Sequence, residues 1–384
     1  MKRIIILLLS FFTIVSFVEA KTQISLLTST ACNNAIYTVW GHSAIRVKTE
    51  QDDKVYNYGV FSFGEGFLYN FVTGQTDYKV DCNEEIWSSI RSAQRKNVYL
   101  YEQILNLSEE EANEIAKNLE INSRPENCYY RYNFFYDNCA TRPRKMIEKT
   151  IKNIEYPIFN NQKTYRNIIH ELTAGLPWFT VGIDLCLGRE TDKVVSDSLM
   201  MFLPIELHKA MEQATRIDSS GNKVPIITNS LIRVTPEEKT IDKNNYSPTL
   251  ILFVVSFVLI TLIIIGYRRW NQRPMDILLF GIYGILGSLI FFLTFFSEHP
   301  CTSLNFNLLW CNPLQLIFAI LVPFKKFRIL GIKYQYFNLA TITIALIIGI
   351  FNIQVFHITF YPLMILMVIQ SISYIKRNGE KQLR

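Results

Sequence analysis

Cys139 has more potential chemistry in its neighbours than any other residue of this chain. It stands in "YNFFYDNCATRPRK" (Tyr132–Lys145), after a run of aromatics and an Asp-Asn pair and ahead of two arginines. The thiolate, not the thiol, is the nucleophile, so a reactive cysteine needs a lowered pKa. Arg142, Arg144, the N-terminal end of a helix and an imidazolium partner would each lower it. The other reading of Cys139 is half of a structural disulfide.

The imidazole must arrive through the fold. Five histidines exist, at positions 42, 170, 208, 299 and 357. His42 lies in "WGHSAIRV" (Trp40–Val47). Gly41 permits a tight turn, which would display the His42 ring at the start of a strand. A lone histidine is also an ordinary structural residue, and only Cys139 makes this one a candidate base. A thiol at a helix mouth facing a histidine on a strand follows the logic of a papain-like site, here with histidine first in the chain. A third polar group should orient the imidazole. Asn57, in "VYNYG" on the next expected strand, is the candidate; Tyr58 and Asp137 are alternatives. There is no Walker-type phosphate loop and no His/Cys cluster with zinc spacing, so no cofactor or metal is expected.

The elements that must position these residues fall into two parts. The 384 residues are 49% hydrophobic, with a mean hydropathy of +0.14. That is too apolar for an ordinary soluble chain of this length. The net charge of +6 lies largely beside apolar spans, which points to membrane topology rather than nucleic acid. Met1-Lys2-Arg3, an apolar run to Val18 and Glu19-Ala20 read as a signal peptide over residues 1–20, cleaved or retained as an anchor.

Residues 21–245 read as one exported domain. Strands are expected at Gln23–Thr28, Ser43–Lys48 and Lys54–Tyr58. A stretch rich in Gly and aromatics follows, "YGVFSFGEGFLYNFVTGQTDY" (Tyr58–Tyr78), whose Phe61, Phe63, Phe67, Tyr69 and Phe71 suit a lid, a lipid-facing loop or a local core. Ser108 and Glu111 form a capping box opening a helix to about Glu120. Pro143 fits only the first turn of a helix, so a second helix should start near Thr141, with Cys139 at its mouth.

Residues 246–375 carry five apolar spans, at about 248–266, 276–296, 308–323, 335–352 and 355–374. The loops near 267–273 and 325–328 and the tail 376–384 are basic, whereas 297–307 and 352–357 hold no Lys or Arg. By the positive-inside rule the domain at 21–245 lies outside and the C-terminus is cytoplasmic.

"ISLLTSTACNNAIYTVWGHSAIRV", the aromatic-Gly stretch, "FFYDNCATRPR" and "HPCTSLNFNLLWCNPL" (His299–Leu314) together resemble the Lnb-type lipoprotein N-acyltransferase family. The resemblance covers nearly the whole mature chain. It implies an α+β, permuted papain-like (NlpC/lecithin–retinol acyltransferase-like) periplasmic domain, followed by an α-helical transmembrane bundle in the bacterial inner membrane. It implies His42 and Cys139 as the catalytic pair, and does not carry Asn57 over equally. The implied reaction moves an acyl chain from a phospholipid, through a Cys139 thioester, to the α-amine of a lipoprotein's diacylglyceryl-cysteine. Arg142 and His299 are the substrate-binding candidates; His299 is otherwise an interfacial loop residue. Seven cysteines in an exported chain leave one thiol free if the rest pair, and Cys301 and Cys311 flank one outside loop as a possible local disulfide. Two other functions use the same features: a thiol amidase or peptidase acting on cell-wall peptides, and a non-enzymatic membrane-anchored module with its cysteines paired.

Overall fold

The computed structural model describes residues 22–32, 38–62, 64–158, 162–218, 220–237, 246–267 and 269–380. The signal peptide read at 1–20 and Phe63 lie outside these residues. The N-terminal part runs β1 (Gln23–Ser29), β2 (His42–Lys48), β3 (Asp53–Val60), α1 (Phe67–Thr73), β4 (Asp77–Glu84), α2 (Ile86–Lys96), β5 (Leu100–Leu105), α3 (Glu109–Ser123), β6 (Tyr129–Arg131) and α4 (Thr141–Thr150). It continues with α5 (Tyr165–Thr173), α6 (Pro177–Cys186), a single turn α7 (Asp197–Met200), α8 (Pro204–Gln213), β7 (Thr215–Ile217), β8 (Lys223–Pro225) and β9 (Ile227–Val234).

Seven strands form one sheet in the order β6-β4-β3-β2-β1-β5-β9, and each neighbouring pair is antiparallel. Successive residues of a strand point to opposite faces, and the sequence uses both. Ile45, Tyr56 and Tyr58 join Leu26, Ile115, Ile147 and Leu207 in a core beneath α3, α4 and α8. Ala44 and Val55 join Leu27, Ile86, Ala93 and Leu100 on the other face, beneath α2. Arg46, 5% exposed, fixes β2 laterally. It grips both oxygens of Asp53 at 2.7 and 2.6 Å and Glu102 of β5 at 2.8 Å. An isolated buried guanidinium would be costly; here two carboxylates compensate it.

Beyond these strands the chain is helical: α9 (Pro248–Gly266), α10 (Arg273–Phe296), α11 (Leu314–Leu321), α12 (Arg328–Ile350) and α13 (Phe360–Gly379). Among the described residues, α9 and α10 are each long and apolar enough to cross a membrane. The third expected span is broken. A 3-10 segment at Pro300–Leu309 and α11 meet at a bend of 40° and are apolar enough only together. The fourth helix starts at Arg328, seven residues ahead of the expected 335, and the fifth at Phe360, so that Pro362 falls in the first turn, where proline is tolerated. α12 and α13 are less apolar because they carry a buried polar ladder: Gln315 donates to Asn338, and Asn338 to Ser371. Such side chains join helices where no water competes.

The two parts are joined by polar contacts at one end of the bundle. Asp184 of α6 is buried and binds Arg166 at 2.6 Å and His170 at 2.7 Å. Asn307 donates to the Asp184 and Leu185 carbonyls, and Asn305 to Leu185. All seven cysteines are free thiols, which corrects the Cys301–Cys311 disulfide. Cys311 is buried in the bundle and donates to the Tyr283 carbonyl at 3.1 Å, while Cys301 packs on the Phe135–Tyr165–Phe202 cluster of the N-terminal part.

Candidate active site

Asn138 decides where Cys139 stands. Its side chain is 3% exposed. Oδ1 accepts from the Ala140 and Thr141 amides at 2.8 and 3.0 Å, while Nδ2 donates to the Phe134 and Phe202 carbonyls at 2.7 and 2.8 Å. The Thr141 hydroxyl accepts the Asn138 amide at 2.7 Å. One buried amide therefore caps α4 and ties its entry to the neighbouring chain. The helix begins at Thr141 as expected, with Cys139 immediately ahead of it. Sequence reasoning passed over Asn138; an Asx residue three positions before a helix start was the available signal.

The sulfur lies at the frayed end of the β2–β3 pair. The register runs from Lys48↔Asp53 to Ala44↔Asn57 and stops there. Gly59 departs from it with φ +84°, a backbone that favours glycine, and its ideal Cβ position is 3.6 Å from Cys139 Cβ. The Ser43 amide, no longer facing a β3 partner, points at the sulfur. The Tyr130 hydroxyl, on a ring 7% exposed, lies 3.9 Å from the same Gly59 position; the Gly59 amide points at its oxygen, and no acceptor takes its proton among the described residues.

His42 and Asn57 approach from the α2 face. His42 Nε2 and Asn57 Oδ1 are 3.1 Å apart, and Asn57 Nδ2 donates to Glu84 at 3.1 Å. The pair borders a cavity of about 280 Å³, shared with Asp81, Glu84, Ser89, Ser92 and Lys96. The expected His42–Asn57 contact is thus present. Cys139 is one residue of β2 away, against Ser43, and no hydrogen bond joins it to His42 among the described residues. The thiol enters from the α4 side and the imidazole from the α2 side, at the opening where β2 and β3 separate.

The resting charge state differs from the expected one. Burial pushes the Cys139 thiol up to about 11, against the opposing pull of the Ser43 and Cys139 amides. The arginines do not offset this because both are committed elsewhere. Arg142 grips Asp137 at 2.9 and 2.7 Å and stacks on Tyr130 at 3.6 Å. Arg144 binds the Ser198 carbonyl and lies 3.3 Å from Glu148. Burial also lowers the His42 pKa, partly opposed by its bond to Asn57. The resting pair is a neutral thiol and a neutral imidazole rather than an arginine-stabilised thiolate. His299 is spent on docking: its Nε2 donates to the Phe71 carbonyl of α1 at 2.8 Å. Neither Arg142 nor His299 is therefore a free substrate ligand in this arrangement. Tyr58 bonds Asn122 and Asp137 holds Arg142, so neither alternative third group reaches His42.

A row of aromatic residues runs from the surroundings of the thiol to α1, which rests on α10. Cys139 lies in the same core cluster as Phe61, close to Tyr78 and Tyr132. Tyr132 stacks on Tyr78 at 4.3 Å, Tyr78 meets Phe61 at 5.2 Å, and Phe61 stacks on Phe67 at 5.3 Å. Phe67 then stacks on Phe71 at 5.7 Å, and Tyr69 lies 6.5 Å from Phe292 of α10. On α1, Leu68 is 73% and Tyr69 62% exposed, an apolar surface beside the end of a membrane helix.

Residues 17–171 match the Lnb N-terminal periplasmic domain, and residues 240–382 match the Lnb transmembrane domain. The chain belongs to the Lnb-type family. It is a membrane protein with a periplasmic N-terminal domain of α+β architecture. Comparisons with curated proteins and with solved structures give no match.

Proposed function

We propose that this Lnb-type protein is a cysteine-dependent acyltransferase that moves a phospholipid acyl chain to the α-amine of a lipoprotein's N-terminal diacylglyceryl-cysteine. The observation that carries the reading is the row of aromatic residues between Cys139 and α1, the helix whose Tyr69 meets Phe292 of α10, since it surrounds the buried thiol with apolar surface on the side of the membrane helices. A hydrolase of cell-wall peptides needs no such surface.

In the first half-reaction His42 takes the Sγ proton as sulfur attacks the ester carbonyl. The C–O bond breaks, and His42 returns the proton to the leaving oxygen, which departs in the lysophospholipid. The acyl group remains as a Cys139 thioester. In the second, the acceptor amine attacks the thioester, giving up a proton through His42, and the thiol is restored with an amide as product. Because the resting thiol is neutral, proton transfer accompanies attack. On this reading the Ser43 amide and the Tyr130 hydroxyl, whose proton has no acceptor among the described residues, hold the tetrahedral oxyanion. Tethering the domain to membrane helices keeps both lipid-anchored substrates at high effective concentration. On this reading the protein sits in the bacterial inner membrane with its C-terminus in the cytoplasm, as the charge pattern of its loops supports.

The test is mass spectrometry of lipoprotein N-termini in cells whose only such enzyme is this protein. Cys139→Ser should leave the α-amines free. Normal N-acylation in that strain would exclude the proposal.

A further inference from the structure

We propose that Glu84 is a positioning residue that fixes the protonation form of His42 through Asn57. The inference builds on the acyltransferase reading, though its geometry stands without it. A carboxylate can only accept hydrogen bonds. Glu84 Oε2 lies 3.1 Å from the Asn57 amide, so the NH₂ end of that amide must face Glu84. Its carbonyl oxygen must then face His42, from which it is 3.1 Å away. An oxygen there requires a proton on His42 Nε2. In a neutral imidazole that leaves Nδ1 unprotonated, able to take the thiol proton.

Without this constraint the assignment is ambiguous. An asparagine amide presents either end equally well, and the flipped amide would put NH₂ against Nε2, move the ring proton to Nδ1 and remove the base. Asn57 is 9% exposed and carried by β3, opposite Ala44, so its backbone is fixed and only the amide flip remains open. The Asn57↔Asp81 register of β3 with β4 is irregular on both sides, and beyond it Glu84, the last residue of β4, reaches Asn57. The other charged groups facing this cavity are Asp81 and, from α2, Lys96. Among the described residues Lys96 makes no hydrogen bond to Asn57 or His42 and acts on His42 through its charge.

Nitrogen-15 NMR of the full-length protein, labelled at histidine and held in detergent micelles, tests this. His42→Gln assigns the His42 signals. Wild-type protein should show Nε2 protonated and Nδ1 bare. Glu84→Gln, an isosteric change at an exposed position whose amide can donate as well as accept, should give a mixture of the two forms. Glu84→Ala should do the same. At pH 7 both variants should also slow iodoacetamide alkylation of Cys139 in proportion to the lost fraction of the Nδ1-bare form, about twofold for an equal mixture. Wild-type His42 protonated at Nδ1, or an unchanged His42 form in both variants, would overturn the assignment. Neither readout uses a lipid substrate. A shifted His42 form in a protein that transfers no acyl chain would sink the acyltransferase reading and leave the role of Glu84 standing.

Discussion

At the residue scale, burial dominates electrostatic activation. Cys139 titrates near 11 because it is desolvated, whereas His42 titrates below its ordinary 6.5. Alkylation of resting Cys139 by a neutral reagent should therefore rise mainly above pH 9. A step between pH 6 and 7 would show an ion pair instead. The same shifts contribute to the pH dependence of stability. Between pH 9 and 11 the unfolded thiol loses its proton first, so the unfolded state binds fewer protons and stability falls as pH rises. Below pH 6.5 the unfolded imidazole binds a proton before the buried one, so stability is lost on acidification. Cys139→Ala should lessen the alkaline loss, to which buried Cys186 and Tyr78 also contribute, and thermal melts of variant and wild type at pH 8 and 10.5 would show the difference. Tyr130→Phe, which removes a hydroxyl near the thiol whose proton has no acceptor among the described residues, should lower turnover by roughly 10²-fold, the lower end for one oxyanion donor, with little change in melting temperature.

At the element scale, α4 and the β2–β3 pair hold the site. Asn138→Ala removes a cap and leaves the Phe134 and Phe202 carbonyls unpaired. It should cost about 2–3 kcal/mol, seen as a fall in melting temperature and in hydrogen-exchange protection of α4. Much of this level was legible in sequence. The alternation through "HSAIRV" and "KVYNYG" yields strands, Pro143 fixes the helix start, and the capping box at Ser108 and Glu111 forms with both its bonds. The registers were not legible, because pairings such as β5 with β9 join residues far apart in sequence and depend on the whole core. The arginine partners were missed for a related reason. Spacing places Arg142 near Cys139, but only tertiary packing shows that Asp137 and Tyr130 claim it.

At the scale of the whole molecule, the periplasmic domain is clamped to the bundle at α1 and at α6. The α1 clamp is small: His299 to Phe71, the Glu298 amide to the Thr73 carbonyl at 2.7 Å, and Gln75 to Glu298 at 3.1 Å. A seven-residue helix has little stability alone, so His299→Ala should raise hydrogen exchange across Phe67–Thr73 and leave α4 unchanged. Phe67→Ala, which interrupts the aromatic row, should raise the KM for a long-chain phospholipid several-fold. A value equal to wild type would remove that row from the function. The five apolar spans were visible as composition. The break near Trp310–Pro313 was not, because it arises from packing of the Asn307–Trp310 turn beneath α6.

The most direct measurement is the mass of the Cys139 peptide after purified protein is incubated with a phospholipid of defined acyl chains and no acceptor. The expected result is one added acyl group on Cys139, released by hydroxylamine and absent from His42→Gln. An unmodified Cys139 in folded protein that binds the lipid would contradict a thioester route.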